Sequence, residues 1–435
     1  MSPETQNSCR YPLVMNKYYT LSALLLLINP LSAQDAIEKE LEALRWLSLE
    51  ILERIDALEK KKAAPSLKTT NAKLQDPLPS GRVQPSSKET NIILGGRIQL
   101  DTYIGSDDNP DATFNAKYKT EKSSRSNQLS THAKSSRLWL KTVTNTKYGL
   151  FKSLVESDFY SGHPSETNSN SYALRLRHAY VSMNNLHIGQ TNSLFTTLYT
   201  PELLVDPVNE TYARQPLISW FYKPSQKLSY DLSLEQPETT LINSSSRTVT
   251  ISNDTVPDIV LRNRYFSDQV EFSNALILRH LIQDSAYIGS DEVFGWGINS
   301  SAKLFFQDHD DLRFSVQYGK GLGRYIAENA FSAGEIDKIG NIRLHKTYGA
   351  HISFRHWWNE NLRSTIAYSL TGIEGDYTNR DIFATRKATS AHINFIWNPL
   401  ANTLAGLEYA HLYTKDTLEN TQEYDLFKLR FSYNF

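Results

Sequence analysis

The most regular feature of the chain is an alternation of apolar and polar residues at its C-terminal end. Across residues 424–435, Phe427 and Phe431 fall on one face of an extended chain, and Lys428 and Arg430 fall on the other. This period of two predicts a strand with one polar, water-facing side and one apolar side. In a soluble sandwich such an edge invites pairing with other chains, whereas in a membrane barrel it pairs with the first strand and faces lipid. We therefore predict a barrel-closing strand and keep a sandwich edge strand as the alternative.

The same alternation recurs, interrupted by turn residues, from residue 91 onward. The segments start near Arg97, Arg137, Phe151, Leu174, Leu186, Arg214, Lys227, Asp258, Val270, Val293, Leu312, Lys346, Leu362, Lys387, Asn402 and Tyr424. This count leaves roughly 22 residues for each strand with its connection, which suits strands of about ten residues joined by alternating short and long loops. The sequence predicts an all-β fold for residues 91–435, an antiparallel transmembrane β-barrel of about 16 strands.

The connections between these segments fall into two length classes. Tight turns occur at residues 145–149, 184–185, 308–311, 358–361 and 398–399. Long polar connections occur at residues 105–135, 162–171, 238–256, 319–344 and 371–386. We expect the tight turns on the periplasmic side and the long loops outside the cell or folded into the pore. Residues 195–214 are long but moderately apolar, which indicates a loop that narrows the lumen.

The N-terminal part of the chain begins with an export pattern and ends with a tether. Met15-Asn16-Lys17 precedes an apolar run over residues 21–28, and small residues follow up to Ala33. This order predicts a secretory signal over residues 1–33, with Met15 as a possible start, because the apolar run is too short to span a membrane. Residues 63–90 contain four prolines among polar residues and predict a flexible linker.

Between signal and linker, residues 34–62 predict an α-helical coiled coil. Ile37, Leu44, Ile51 and Leu58 recur every seven residues and share one heptad position. A single helix of this length cannot bury its apolar stripe alone, so we expect self-association, with packing on its own barrel as the alternative. Mixed isoleucine and leucine core positions allow a trimer.

Composition narrows the classes of partner and chemistry. The chain has 46 basic and 47 acidic residues, a balance that gives no indication of nucleic-acid binding. Cys9 is the one cysteine and lies in the predicted signal, so a disulfide framework and a thiolate metal site are excluded. The histidines are scattered and no serine-nucleophile elbow is present, so we expect no enzyme, no metal site and no cofactor.

Charged residues in the polar register of the strands are the candidate functional residues. We expect the pore lining and the substrate guidance to come from Arg97, Arg137, Lys141, Arg175, Arg177, Arg262, Arg264, Arg313, Glu156 and Asp158. A planar guanidinium binds two carboxylate or phosphate oxygens at once, and a ring of charge sets which ion sign enters a pore. The inward register also holds the carboxylates of Glu156, Asp158, Asp231, Glu235 and Glu408. We therefore expect a lumen split into a basic wall and an acidic wall, with Glu156 or Asp158 as counter-charge to Arg175 and Arg177. Pairing that serves structure alone is the alternative to anion guidance, and both can hold.

Several short motifs occur in the order found in one known family. They are residues 136–138 (SRL), 174–180 (LRLRHAY), 188–191 (IGQT), 214–216 (RQP), 311–314 (DLRF), 318–319 (YG), 323–325 (GRY) and Phe435. On these residues the chain resembles the DcaP-like family of trimeric outer-membrane porins, and it differs at Asn192, where that family has tryptophan. The resemblance implies a sixteen-stranded barrel, a homotrimer with a periplasmic N-terminal coil, and passage of small anions such as dicarboxylates. A terminal aromatic residue such as Phe435 also resembles the sorting signal of Gram-negative outer-membrane barrels.

Two functions from different classes follow from this sequence. The first is an outer-membrane porin for diffusion of small, mainly anionic solutes such as dicarboxylates. The second is a plugged or structural outer-membrane barrel that acts through its coiled coil or surface loops. Sixteen strands favour the channel, because a barrel that wide holds water unless a plug fills it. The expected partners are two further copies of the chain, outer-membrane lipid and small anionic solutes.

Overall fold

The computed structural model describes residues 90–105, 128–162, 169–243, 249–251, 254–285, 289–306, 309–374 and 385–435. The predicted signal, the coiled coil and residues 63–89 of the predicted linker lie outside the described residues. Thr90, which we assigned to the linker, is the first residue of the first strand, so the barrel begins one residue earlier than predicted. Among the described residues, no helix is long and apolar enough to cross a membrane.

Strands make up nearly all of the regular structure in these ranges. They are β1 (Thr90–Gly105), β2 (Gln128–His132), β3 (Arg137–Thr146), β4 (Gly149–Ser161), β5 (Ala173–Met183), β6 (Leu186–Asn192), β7 (Arg214–Tyr222), β8 (Leu228–Glu235), β9 (Thr240–Asn243), β10 (Val249–Ile251), β11 (Asp258–Phe266), β12 (Val270–Ser285), β13 (Gly289–Phe305), β14 (Asp311–Lys320), β15 (Gly334–Ile336), β16 (Ile342–Leu344), β17 (Lys346–Asn359), β18 (Leu362–Glu374), β19 (Thr385–Trp397), β20 (Thr403–Asp416) and β21 (Thr421–Asn434). Two 3₁₀ turns occur at Gly323–Tyr325 and Ala327–Asn329.

Seventeen of these strands form one closed antiparallel sheet. Both β2 and β3 pair with β1, over its two halves, so together they make one interrupted wall strand and the barrel has sixteen. The last strand pairs with the first, from Arg97 opposite Asn434 to Gly105 opposite Leu426. The backbones of Gly96 and Phe435 also exchange two hydrogen bonds of 3.0 and 3.1 Å. The predicted sixteen-stranded antiparallel barrel is therefore confirmed.

The two faces of the wall follow the alternation in the sequence. On β21, Phe427 and Phe431 are each about half exposed on the outside, at 49% and 51%, whereas Lys428 and Ser432 are buried on the inside at 5% and 4%. This is the arrangement of a barrel whose outer surface meets lipid and whose inner surface is polar.

Two connections fold into the barrel and share an apolar core with its wall. We call residues 193–213, between β6 and β7, the inner loop, and residues 321–345, between β14 and β17, the cap loop. Phe195 of the inner loop packs edge-on against Tyr325 of the cap loop, with ring centroids 5.9 Å apart. Both rings are fully buried in one cluster with Val260 of β11 and Ile277 of β12. Part of the lumen is therefore filled by the protein itself.

The long loops also form a small sheet that the sequence did not predict. It contains β9, β10, β15 and β16, with β9 and β15 parallel. Gly321 and Gly323 have φ values of +77° and +51°, which turn the chain from β14 into this region at no steric cost. These two glycines therefore begin a folded segment.

Candidate functional site

The inner loop is held inside the barrel by ionic anchors to the far wall. Glu202 accepts two hydrogen bonds from Arg363, at 2.9 and 2.5 Å, and one of 2.9 Å from Arg355. These two guanidinium groups hold the pKa of the Glu202 carboxyl at about 2, below its usual value, although burial opposes the shift. Glu408 of β20 accepts the backbone N–H groups of Leu204 and Val205. The prediction that this segment enters the lumen is confirmed.

A cavity of about 310 Å³ remains between the inner loop and the wall. Its basic lining comes from the wall strands β1, β3, β5, β7 and β21, as Arg97, Arg137, Arg175, Arg177, Arg214, Lys428 and Arg430. Its acidic lining comes from the loops, with Asp206 and Glu210 on the inner loop and Glu328 on the cap loop. The cavity is thus a polar passage with cations on the barrel wall and carboxylates on the facing loops.

Strand register concentrates positive charge on one part of this wall. Arg97 of β1 lies directly opposite Arg137 of β3, so both side chains project from the same face at the same height. Directly opposed like charges on neighbouring strands are destabilising. Such a pair calls for a negative group nearby, from the protein or from a bound anion.

The predicted partners of Arg175 and Arg177 are present. Arg175 donates to both oxygens of Asp158, at 2.9 and 2.7 Å, and Arg177 donates to Asp158 and to Glu156, each at 2.7 Å. The Asp158 side chain is 1% exposed, so these bonds compensate a buried carboxylate. Arg177 also donates to the hydroxyl of Tyr212 at 3.1 Å. Pairing on the wall therefore consumes much of the hydrogen-bonding capacity of these two arginines.

Three other guanidinium groups of this cavity keep buried N–H groups that lack a hydrogen-bond partner among the described residues. These are the Nε groups of Arg97 and Arg137 and one terminal nitrogen of Arg214. Arg137 has only a long contact of 3.5 Å with Glu156, and Arg214 lies over the Tyr212 ring at 4.6 Å. Because a buried N–H without an acceptor is costly, these positions favour an acceptor-bearing solute.

Asp101 holds the two remaining cations of the site, Lys428 and Arg430 of β21. It accepts from Arg430 at 2.8 Å, lies 3.6 Å from the Lys428 ammonium, and accepts from Gln99 and Ser135. The Asp101 carboxylate is fully buried behind the cavity. It fixes the β21 cations in place without itself lining the cavity.

Four of the predicted lining residues lie elsewhere. Arg262 and Arg264 both contact Asp231 on the wall, and Arg262 also donates to the backbone of the inner loop. Arg313 pairs with Asp311 and donates to the carbonyl of Thr200 at 2.8 Å. Lys141 is exposed on β3 and does not line the cavity. Arg262 and Arg313 hold the inner loop through its backbone carbonyls, whereas Arg264 donates to Ser229 and Asp231 of β8.

Glu156 and Asp158 lie beside the arginines on the same part of the wall, as their predicted role as counter-charges requires, because paired positions on neighbouring strands share one face. The opposing negative groups belong to the loops. Burial and the nearby carboxylates of Asp206 and Glu328 raise the pKa of Glu210 well above its usual value.

Sequence reasoning missed the residues that approach the cavity from loops and turns. These are Asp206, Glu210, Glu328 and Tyr212; Tyr103 of β1 and Tyr160 of β4, also missed, line the cavity from wall strands. A period-two pattern does not predict where a loop side chain points, because tertiary contacts set the direction of the loop. Arg214 was visible as the start of a strand, and its register could have added it. The described residues hold no group of three or more His, Cys, Asp or Glu side chains placed to bind a metal ion.

Comparisons with known proteins agree on this architecture. The profile of the DcaP outer membrane protein family matches residues 80–435. The outer membrane channel DcaP of Acinetobacter baumannii is similar in structure, with a TM-score of 0.71 and 21% identity over 80% of this chain and 99% of that chain. An anion-selective porin from Comamonas acidovorans has a TM-score of 0.52 and 13% identity over 80% and 100% of the two chains.

OmpT of Vibrio cholerae, in a trimer form, has a TM-score of 0.50 and 7% identity over 80% of this chain and 99% of that chain. No curated protein sequence matches the chain. Identities this low establish a shared fold only, whereas the family profile covers the whole described barrel. The chain belongs to the DcaP outer membrane protein family and has the sixteen-stranded barrel of a porin.

Proposed function

We propose that this barrel is a diffusion channel for small anions, with dicarboxylates as the preferred class. The observation that carries the proposal is the basic cavity beside the inner loop. Its seven cationic side chains outnumber the six carboxylates that line it or pair with them. A narrow passage with a net positive lining admits anions in preference to cations.

The preference for two carboxylates follows from the Arg97–Arg137 pair. Cβ atoms of directly opposed residues lie about 5 Å apart, so two guanidinium groups can each hold one carboxylate of a short diacid. Both groups have an Nε–H without a hydrogen-bond partner among the described residues. Arg175 and Arg177 supply a second cationic pair, which is partly neutralised by Asp158 and Glu156. Binding stays loose, because a conducting site must release its solute.

The plugged barrel remains a second candidate, because the inner loop and the cap loop fill part of the lumen with an apolar core. Planar-bilayer recording separates the two. A channel gives stepwise ohmic conductance, and under a tenfold potassium chloride gradient its reversal potential has the sign of chloride selectivity. Absence of conductance steps from correctly folded protein supports the plug, and a cation-selective reversal potential contradicts the anion channel.

A homotrimer is the assembly that we propose for this channel. The predicted heptads at residues 34–62 supply a self-association element, and the outer face of the barrel supplies a polar contact region. On that face Thr142 of β3 and Ser153 of β4 are hydrogen-bonded at 2.6 Å. Polar side chains are unfavourable against lipid, so this face of β3 and β4 suits contact with another protomer.

The remaining proposals concern export and orientation. Residues 1–33 act as a cleaved secretory signal, residues 34–62 form a periplasmic coil, and residues 63–89 tether it to the barrel. The tight turns then lie in the periplasm and the long loops at the cell surface, as in other outer-membrane barrels.

A further inference from the structure

Four lysines lie on the outer face of the barrel at the long-loop rim, outside the proposed path of the anions. They are Lys320 of β14, Lys346 of β17, Lys387 of β19 and Lys415 of β20, and we call them the rim lysines. Each shares its strand's outward register, since Val316, Ile352, Ile393 and Leu407 on the same strands and with the same parity are 53%, 52%, 46% and 46% exposed. The rim lysines therefore point to the surroundings of the barrel and not into its lumen.

The rim lysines are arranged as two like-charged cross-strand pairs. Lys320 lies directly opposite Lys346, and Lys387 lies directly opposite Lys415. Among the described residues, no ion pair involves Lys320, Lys346 or Lys387, and Lys415 shares Glu419 with Arg386. Lys346 also lies directly opposite Glu374 of β18, but among the described residues no ion pair joins the two. Because opposed like charges on neighbouring strands destabilise a sheet, an anion from outside the protein would stabilise both lysine pairs.

A cleft beside the Lys320–Lys346 pair has room for an anion. Its volume is about 510 Å³, and it opens between the small loop sheet and the barrel rim. Lys320, Lys346 and Arg343 supply its positive charge. The two carboxylates in the lining are engaged by the protein, since Glu374 accepts from the Tyr318 hydroxyl at 3.1 Å and Glu335 lies 3.8 Å from Arg343.

The height of the rim lysines matches the headgroup region of a membrane. Trp296 lies directly opposite Lys320, and its ring contacts that of Tyr318 at 6.0 Å on the outer face. Tryptophan and tyrosine on the lipid face mark the level where acyl chains meet headgroups. The rim lysines stand at or beyond this level, on the side of the long loops.

We propose that the rim lysines bind the phosphate groups of a glycolipid in the outer leaflet of the outer membrane. The centres of the two lysine pairs are separated by three strand spacings, about 14 Å, which suits one headgroup that carries two phosphates. The strands of this site are not adjacent to β3 and β4, so it stays open to lipid in the proposed trimer. It depends on the outer-membrane location of the family and is independent of anion selection in the lumen.

The test compares lipid retention by two charge-matched variants in native mass spectrometry of the full-length protein in detergent. Lys320→Gln/Lys346→Gln removes the first rim pair, and Lys223→Gln/Lys227→Gln removes two exposed lysines from a tight turn at the opposite rim. A glycolipid with two phosphates is the probe; the same glycolipid without phosphates and inorganic phosphate alone are the comparison arms. We expect the rim variant to retain on the order of tenfold less probe than the wild type or the tight-turn variant.

The double replacement Lys320→Arg/Lys346→Arg keeps the charge and should restore retention. Heat-modifiable mobility on gels verifies that each variant is folded. Equal retention by the rim and tight-turn variants overturns the proposal. Equal binding of the dephosphorylated glycolipid, or saturable binding of inorganic phosphate lost in the same variant, overturns the assignment to a phosphorylated lipid.

Discussion

At the residue scale, the inner wall has two kinds of arginine. One kind is paired with buried carboxylates, as Arg177 is with Glu156 and Asp158. The other kind, such as Arg97 and Arg214, has no carboxylate partner among the described residues and keeps an N–H without an acceptor. Paired arginines fix the wall, and the second kind supplies charge that a permeating anion can use. Anion guidance and structural pairing therefore belong to different residues of the same wall.

Replacing Arg175 and Arg177 together by glutamine tests how pairing contributes to the lumen charge. The variant leaves Asp158 and Glu156 without their partners, so anion preference and current block by a dicarboxylate should both fall. Loss of a buried partner should also cost about 3 kcal/mol of unfolding free energy. The control adds Glu156→Gln and Asp158→Asn, which should restore most of the stability. Unchanged anion preference and unchanged block in the double variant would contradict a contribution of these paired residues to the lumen charge.

At the element scale, the terminal strand closes the barrel through backbone pairing that reaches its last residue. Phe435 exchanges two hydrogen bonds with Gly96, and its ring occupies the space where a Cβ on Gly96 would sit, 2.3 Å from that position. Deleting Phe435 should therefore lower the folded, heat-modifiable fraction. The matched control Phe435→Leu keeps both backbone bonds and should assemble better than the deletion. Equal folded fractions for the deletion and wild type, at low and high expression, would contradict a role in closure.

The inner loop depends on a carboxylate that acid can neutralise. With a pKa of about 2 in the fold against an ordinary value near 4.5, Glu202 stabilises its anchored state fully above pH 4.5. That contribution declines below pH 4.5 and is lost as the pH falls through about 2. Open-channel current noise should rise in this window for the wild type.

Glu202→Gln should be noisy already at neutral pH and should lack that acid-induced rise. Glu360→Gln, in an exposed tight turn, is the charge-matched control and should behave as the wild type does. Identical noise in all three proteins at each pH would show that Glu202 does not anchor the loop.

The elements show where sequence reasoning succeeds and where it stops. Period-two alternation places Arg137 and Lys428 on the inner face, because strand geometry alone decides the side of a residue. The alternation does not predict the position of Glu210, because the path of the inner loop depends on distant contacts such as that of Glu202 with Arg363. The conformation of the cap loop is even harder to predict from the sequence, since Glu328 is one of three consecutive non-glycine residues with positive φ. Tertiary contacts impose that conformation against local preference.

At the scale of the whole molecule, the proposed trimer places the polar outer face of β3 and β4 between protomers. The coil at residues 34–62 should hold the assembly together, since its heptads need partner helices. Changing Leu44 and Ile51 to aspartate should reduce the trimer population in native mass spectrometry, while the barrel still inserts and stays heat-modifiable. Changing Lys39 and Glu53 to aspartate, outside the predicted apolar positions, is the control. A monomeric wild-type protein would contradict the trimer itself.

The central claim is that charge on the barrel wall beside the inner loop makes the channel select anions. The most direct measurement is the reversal potential across a planar bilayer under a potassium chloride gradient, for the wild type, Arg97→Gln/Arg137→Gln and Lys223→Gln/Lys227→Gln. Both variants lose two positive charges, but only the first loses them from the cavity. We predict a chloride-selective potential for the wild type and the lysine variant, and a shift towards the potassium equilibrium potential for the arginine variant. A wild-type potential that favours potassium, or equal potentials for the two variants, would contradict the account.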